Sequence, residues 1–483
     1  MTAFSEKLSD IIKNNKINVA QLSRKIGIDR TTIEKYKSGA RKQPDEQQFE
    51  TLLEAMALSP SEQEDLRQAY EISNKDPQSL QRKKVQEIME GIAEVYSMTP
   101  SNYLSANKPD SDNFSFKETE KFSGKRIVKN TISEVILGED EILYFSMPYD
   151  NESFYESLFL KYSSCASISI HCFISFVKSK AIMNLDILET VMPFLMSDKN
   201  HFQAHYVYSD TEKQNFSTMP LPYFIHTRQH TLLLSSKLDC AILTKNPEIR
   251  GCYQDTCEKF VKSAKPLLNR INGPDELLKY YLNNYLGHII PKKIELAGIE
   301  FQPCLLIYVG LSMLQKYSEV LQNNETILSD FKNYVDRIQQ EVQGKLSVFT
   351  EDGLGSFIKT GKLSVIPPDY ITAFDKQDRL NLLEKMLEDL TKDKIKFRLI
   401  DSTKFTIADG FSIGCLNGHS LLISDLRYKT GNTKVISIGE QSIVDAFLDF
   451  FNSIPDSELV LSKEATIQAI HDAIRDLNIL LPD

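Results

Sequence analysis

HTLLLSS, from His230 to Ser236, and HSLLISD, from His419 to Asp425, are nearly the same short segment written twice. Each opens on a histidine and runs through branched aliphatics, which is the mark of a buried strand. What surrounds them also repeats. HFQAHYVY (201–208) and PYFIHT (222–227) precede the first, and IKFRLID (395–401) and FSIGCL (411–416) precede the second. The second is followed by another strand, KVISIG (434–439), and a helix at 441–451, and a helix is expected after the first at 248–267. Further upstream, ILYFSMP (142–148) and SISIHCFISF (167–176) read as strands alternating with helices at 152–162 and 185–196, and a helix at 378–390 leads into the second set. This is an α/β pattern with an internal duplication. It predicts a first α/β lobe over 126–273, a mostly helical insert over 274–345 and a second α/β lobe over 346–483. The alternative is that two generic strands coincide.

A duplicated α/β unit with a histidine opening a late strand resembles the phospholipase D-like fold. That resemblance implies the pattern H-x-K-x-x-x-x-D in each half, with His as nucleophile, Lys holding phosphate and Asp setting the His. Here the Lys places hold Leu232 and Leu421, and the Asp places hold Lys237 and Leu426, with Asp425 one residue off. Leucine cannot bind phosphate, so the resemblance implies a catalytically degenerate copy of that fold, and no enzyme activity is expected.

The chain has 483 residues, too many for one core and suited to about three units. Its composition, 41% hydrophobic and 25% charged, is ordinary for a globular protein. The net charge of −10 argues against a chain coated in basic residues for nucleic acid, though not against a local basic surface. The first fifteen residues hold no uninterrupted apolar stretch, and the longest one, Cys304–Leu314, is too short for a bilayer crossing. The seven cysteines, at 165, 172, 240, 252, 257, 304 and 415, are scattered and form no C-x-x-C. A cytoplasmic protein with reduced, packed thiols is expected.

Charge is distributed unevenly. Between Phe4 and Gln43 there are ten Lys and Arg against four Asp and Glu. The same region is helical in its spacing: Phe4, Leu8, Ile11 and Ile12 mark a first helix, and Val19, Leu22 and Ile26 a second, with Asn18 as its N-cap and Gly27 as its stop. Asp29 caps a third over Arg30–Lys37. Phe49, Leu52, Leu53 and Met56 give a fourth, and Ser61 opens a fifth with Leu66 and Tyr70. On a wheel of about 100° per residue, Ile33 and Tyr36 face the core while Thr31, Glu34 and Lys35 face out, with Arg30 at the N-terminal edge. Arg and Lys donate to guanine O6 and N7, and Thr meets a thymine methyl or a phosphate.

The segment Ile17–Pro44 resembles the helix-turn-helix of the Cro/C1-type (Xre-like) regulator family, through Leu22, Ser23, Gly27, Ile33, Gly39 and Arg41-Lys42 before Pro44. That resemblance implies a groove-facing set of Arg30, Thr31, Thr32 and Lys35, and phosphate contacts from Lys37, Arg41 and Lys42. Where the family often carries a Gln that braces a base-reading side chain, this chain has Val19. The resemblance also implies double-stranded DNA as partner and a homodimer, because one such unit reads too few bases to bind tightly.

The expected fold class is therefore multidomain: an all-α five-helix helix-turn-helix head over 1–73, then a large α/β part with an internal duplication. Residues 74–125 connect them. Within that stretch 76–98 reads as a helix whose Val85, Ile88, Met89, Ile92 and Val95 form either a dimer seam or a face packed on its own domain. Residues 99–125 read as a polar linker. No cofactor or metal is expected. His201, His205, His226 and His230 recur at spacings of four, but such residues stand about 13 Å apart on a strand. Cys252 and Cys257 read as packing, Gly138–Glu141 as a solvated turn, and Glu351–Ser364 as a turn and helix ended by Gly361. No phosphate-binding loop or dinucleotide glycine pattern is present. The expected function is a bacterial-type transcriptional regulator whose α/β part supplies dimerisation and senses an unidentified small-molecule or protein effector. A DNA-targeted degenerate nuclease-like enzyme, an interaction scaffold, and a head that binds protein instead of DNA remain open.

Overall fold

The computed structural model describes residues 3–41, 43–74, 77–97, 117–138, 142–164, 168–178, 180–197, 201–209, 220–272, 276, 296–318, 329, 332, 345–365, 371–416, 418–425 and 434–480. The chain divides into two units, Met1–Lys83 and Lys84–Asp483.

The first unit is built from α1 (Ala3–Asn14), α2 (Val19–Ile26), α3 (Arg30–Ser38), α4 (Glu46–Met56) and α5 (Pro60–Asn74). These are the five helices that the apolar spacing predicts. Each contributes one stripe to a common core that includes Leu8, Leu22, Ile33, Leu52 and Leu66. Phe49 and Tyr70 stack at 3.8 Å, and Phe4 meets both edge-on. The Tyr70 hydroxyl donates to the Pro44 carbonyl at 2.8 Å, so the buried ring keeps its polar end satisfied. Val19, at the start of α2, is buried in this core.

A sixth helix, α6 (Pro77–Ser97), runs into the second unit. Its Val85, Ile88, Met89 and Ile92 are at most 1% exposed and belong to the core of the large unit. The stripe therefore packs on its own domain and is not a dimer seam; the side chain of Val95 lies outside the described residues. Lys84 fixes the same helix by ion pairs to Asp186 (2.9 Å) and Glu189 (2.6 Å).

Among the described residues the second unit holds two sheets. In the first, β2 (Ile142–Ser146), β3 (Ser169–Val177) and β4 (Phe202–Ser209) run parallel. On the other side of β2 come β5 (Tyr223–Thr227), β6 (Thr231–Leu234), β7 (Cys240–Thr244) and β1 (Thr119–Ser123), each antiparallel to its neighbour. A two-residue strand, β8 (Lys265–Pro266), closes the β4 edge. The second sheet repeats this. β10 (Leu296–Glu300), β11 (Lys345–Phe349) and β12 (Ile395–Leu399) are parallel, and β13 (Phe411–Leu416), β14 (Ser420–Asp425), β15 (Lys434–Ile438) and β9 (Leu268–Asn272) follow antiparallel beyond β10. Seven strands match in order and direction, and HTLLLSS and HSLLISD fall on the equivalent strands β6 and β14.

Helices fill the gaps: α7 (Lys125–Leu137), α8 (Glu152–Ser164), α9 (Ala181–Met196) and α10 (Pro247–Ser263) in the first lobe; α11 (Leu311–Tyr317), α12 (Glu351–Thr360), α13 (Lys376–Thr391), α14 (Gln441–Ser453) and α15 (Lys463–Leu480) in the second. One apolar core joins the inner faces of both sheets, with Phe145, Phe176, Leu232, Leu234, Leu421 and Ile423 among its members together with Phe447 and Phe450 of α14. The outer face of the second sheet has a further core against α12, α13 and α15.

Several boundaries differ from those the sequence suggests. The polar stretch over 99–125 includes β1, and the first lobe begins there, not at residue 126. The helix expected over 248–267 ends at Ser263, and Leu268–Asn272, placed in the first lobe, is an edge strand of the second sheet. The insert over 274–345 contains β10, the strand on which the second sheet turns; its short length and glycine hid it. Glu139–Glu141 lie outside the described residues. Gly361, at φ 67°, does end α12.

Gly353 in the first turn of α12 lies so close to Phe301 that an added Cβ would stand 1.7 Å from that carbonyl oxygen. Gly353→Ala is expected to destabilise the large unit by roughly 1–3 kcal/mol, since backbone must move. A urea titration checks this; an unchanged midpoint would contradict the close approach.

Candidate functional site

The sequence-predicted residues sit on and after α3, and the turn that sets this helix is pinned at both ends. Asn18 caps α2, its Oδ1 accepting from the amides of Ala20 (3.0 Å) and Gln21 (3.3 Å). Gly27 leaves α2 in the left-handed conformation at φ 69°, which glycine adopts without the strain a Cβ would bring. Ser23 Oγ donates to the Ile28 carbonyl at 2.7 Å, tying the turn back to the helix before it. Asp29 then caps α3, accepting from the Thr31 amide at 2.7 Å and from the Thr31 hydroxyl. The Thr31 hydroxyl and amide hold the Asp29 carboxyl below its usual range, so the cap is charged at neutral pH. Gly39, also at φ 69°, stops the helix.

Ile33 and Tyr36 are buried, and Arg30, Thr31, Lys35 and Arg41 are exposed. Thr32 and Lys37 are half-buried, and Lys42 lies outside the described residues. The set is not uniform. Lys37 is paired with Glu34 at 2.9 Å, one turn back. Arg41 folds over α3, donating to Thr32 Oγ1 at 3.3 Å with its guanidinium 5.7 Å from the Tyr36 ring centre. Among the described residues, Arg30 and Lys35 carry no side-chain hydrogen bond or ion pair, so these two charges are available to an incoming group. Thr31 is committed to the cap through its hydroxyl and offers its methyl.

The doubled histidines do not build the phosphate chemistry that the second resemblance implies. His230 is half-buried, His419 is exposed, and the Lys places, Leu232 and Leu421, are fully buried in the shared core. Leu426 lies outside the described residues. His201, His205, His226 and His230 do not gather. His226 instead bonds Thr231 Oγ1 (2.8 Å) and Gln254 Oε1 (3.0 Å), and His205 meets His171, a residue that the sequence reading passed over. Among the described residues no group of three or more His, Cys, Asp and Glu is placed to hold a metal ion. Cys257 is buried and Cys252 exposed.

His171 belongs to a polar row that crosses the outer face of the first sheet: Gln203, His171, Tyr144, His226, Thr231, Thr244 and Thr119 are cross-strand neighbours in turn. Alternation in β3 signals it, since Ile170, Cys172, Ile174 and Phe176 take the inner face and leave His171 on the other. Tyr144 stacks on His171 at 4.8 Å, and His171 Nδ1 lies 3.3 Å from His205 Nε2. Burial, and then the neighbouring His205, push the His171 imidazole down from its ordinary 6.5 to about 4. The folded state thus favours neutral His171. Its contribution to stability is complete above pH 6.5 and is lost as the pH falls from there toward 4. His171→Phe is expected to lose less stability than wild type between pH 7 and pH 5 in urea titrations; parallel losses would contradict this.

The sequence matches no protein-family profile and no curated protein sequence. Solved structures similar to the chain include a phosphatidylserine synthase of Haemophilus influenzae Rd KW20, at 11% identity over 75% of this chain and 92% of that one, with a TM-score of 0.27. A polyphosphate kinase from Porphyromonas gingivalis is 10% identical over 90% and 65% of the two chains, with a TM-score of 0.23. TrmBL2, an archaeal chromatin protein with a novel mode of DNA binding, is 7% identical over 54% and 99%, with a TM-score of 0.21. At TM-scores this far below 0.5 none of them carries fold or function over to this chain.

Proposed function

We propose that this chain is a sequence-specific DNA-binding transcriptional regulator. In this reading α2 and α3 form a helix-turn-helix, α3 enters the major groove, and the large α/β unit supplies dimerisation and effector sensing. The single observation that carries it is the division of α3 into a buried face, Ile33 and Tyr36, and an outward one on which Arg30 and Lys35 remain uncommitted beside Thr31. A nine-residue helix offers about two turns to a groove, enough for three or four base contacts. Arg30 at its N-terminal end has the reach for bidentate donation to a guanine. Arg41, held over α3 by Thr32 and Tyr36, would serve as a clamp on the DNA backbone, and Lys37 is diverted by Glu34.

One head reads too few bases for tight binding, so the reading requires two copies on half-sites one helical turn apart, about 34–36 Å. No step of bond-making chemistry is part of it.

The test is footprinting and fluorescence anisotropy on DNA upstream of the chain's own reading frame. Wild type is expected to protect two half-sites, with affinity that falls steeply as salt rises. Arg30→Ala should cost about 1–3 kcal/mol of discrimination at one base position in each half-site. Lys37→Ala should change affinity less than Lys35→Ala, because Lys37 is already paired. Absence of salt-sensitive binding by wild type would remove the regulator reading, and an Arg30→Ala variant with wild-type protection would remove the assignment of α3.

A further inference from the structure

The first lobe contains a cavity of about 790 Å³ that wraps the carboxyl ends of β2 and β3. Its walls are the loop after β2 (Ser146–Asn151), the second half of β3 (Phe173–Ser175), the start of β5 (Pro222–Phe224), the β6–β7 turn (Ser236–Leu238) and faces of α7, α9 and α10. The position follows from topology. From β2 the sheet continues by parallel crossovers to β3 on one side and by an antiparallel strand, β5, on the other. The chain leaves the carboxyl end of β2 through α8 toward β3, β5 begins at the same end beside Ser146, and a crevice opens beyond the carboxyl ends of β2 and β3, the place where open α/β sheets hold ligands. It is the end of the sheet away from His230, since His226 pairs with Thr231 while Tyr223 pairs with Leu234.

The lining divides by depth and chemistry. Inside it is aromatic and aliphatic, with Phe154, Phe173, Tyr155, Tyr223, Ile187 and Val191 on the walls. Two thiols are there, and burial drives both up, Cys257 to about 12 and Cys172 further, so neither is a nucleophile near neutral pH. At the mouth stand three exposed lysines, Lys125, Lys129 and Lys237, against one carboxylate, Asp150. None of the three lysines has an ion-pair partner among the described residues. Lys125 is also the first residue of α7, whose cap, Gly124, offers no side chain to the free amides. The second lobe, whose outer face is filled by α12, α13 and α15, shows what the equivalent sheet looks like when packed.

We infer that this cavity binds a small amphipathic anion: an apolar, preferably aromatic, body inserted among the phenyl and phenol rings, with a carboxylate, sulfonate or phosphate held at the mouth by Lys125, Lys129 and Lys237. The size suits a molecule of cofactor or drug scale. This names a ligand class for the effector arm of the proposed function, and its geometry depends on the first lobe alone. Two similar probes separate charge from burial. The full-length protein is titrated, without DNA, with 1-anilinonaphthalene-8-sulfonate and with N-phenyl-1-naphthylamine, which has the same ring system and no anion. Saturable one-to-one binding of both is expected, tighter for the sulfonate. The triple variant Lys125→Gln/Lys129→Gln/Lys237→Gln should weaken the sulfonate by about tenfold, as three partly exposed pairs would, and change the neutral probe less than twofold. Ser175→Trp, or Thr256→Trp on the exposed edge of α10, should abolish saturable binding of both at an unchanged melting temperature; the second variant serves if the first does not fold. Equal binding of the sulfonate by wild type and triple variant would overturn the anion site, and undiminished binding of both probes by a correctly folded tryptophan variant would overturn the cavity. Because no DNA is present, loss of probe binding leaves the operator reading standing, and a chain that ignores DNA can still fill this cavity.

Discussion

Leu232 and Leu421 occupy equivalent places on β6 and β14, and both are fully buried in the single core that the two sheets share. That sharing constrains the large unit more than any other feature. A core serving two sheets demands an apolar inner face on each, so β2, β3, β6 and β14 spend their inward positions on Leu, Ile, Phe and, at Cys172, a buried thiol. A charged side chain at either leucine would be buried without a partner, at a cost of several kcal/mol. The same constraint decides where polar groups gather. At the margin of the joint, Glu440, 1% exposed, accepts from the Tyr208 hydroxyl (2.7 Å), from the Ser442 hydroxyl (2.6 Å) and from the Ile443 amide (2.9 Å). Ser442 in turn accepts from buried Asn184, whose amide group also bonds both backbone atoms of Val177. This knot links α14 of one lobe to β4, β3 and α9 of the other, and it leaves no carboxylate oxygen unanswered.

The repeat of seven strands shows how two copies of one plan can diverge. After β7 comes α10, which buries only Cys257 and lies over a face lined with His171, Tyr144 and His226. After β15 comes α14, with Phe447, Phe450 and Phe451 in the shared core. The helices follow equivalent strands and pack on opposite terms. In the second lobe both faces of the sheet pack against apolar cores; in the first, the outer face carries a polar row beside Phe173 and Phe224, and one end stays open.

Much of this was legible in the residues. Five helices of the small unit, their caps at Asn18 and Asp29 and the glycine stops follow from periodicity and from the side-chain chemistry of turns, which are local. The pairing of β6 with β14 in plan follows from two similar heptapeptides. What was hidden depends on distant partners. Leu296–Glu300 reads as nothing in particular until β11 and β13 flank it. Leu268–Asn272 falls within the first lobe by position in the sequence because its partner lies far down the chain. Arg41 and Lys37 looked equivalent as cations, and only the fold shows one clamped over Tyr36 and the other taken by Glu34. Alternation in β3 assigns His171 to the outer face but does not say what it meets there, and its meeting with His205 is a matter of strand register.

The crossing between the sheets is abrupt. Pro266 ends a strand of the first sheet, Leu267 is buried, and Leu268 begins an edge strand of the second, whose partner on β15 spans Lys434–Ile438. During synthesis every described strand of the first sheet is available once Pro266 has left the ribosome. Leu268–Asn272 must then wait, unpaired, while some 160 further residues are added, about ten to thirty seconds at ordinary elongation rates of 5–20 residues per second. An exposed strand edge held open for that long is where a nascent chain is most exposed to mispairing. The order of assembly is thus written into the position of five residues: one sheet is a finished template before the other can close upon it.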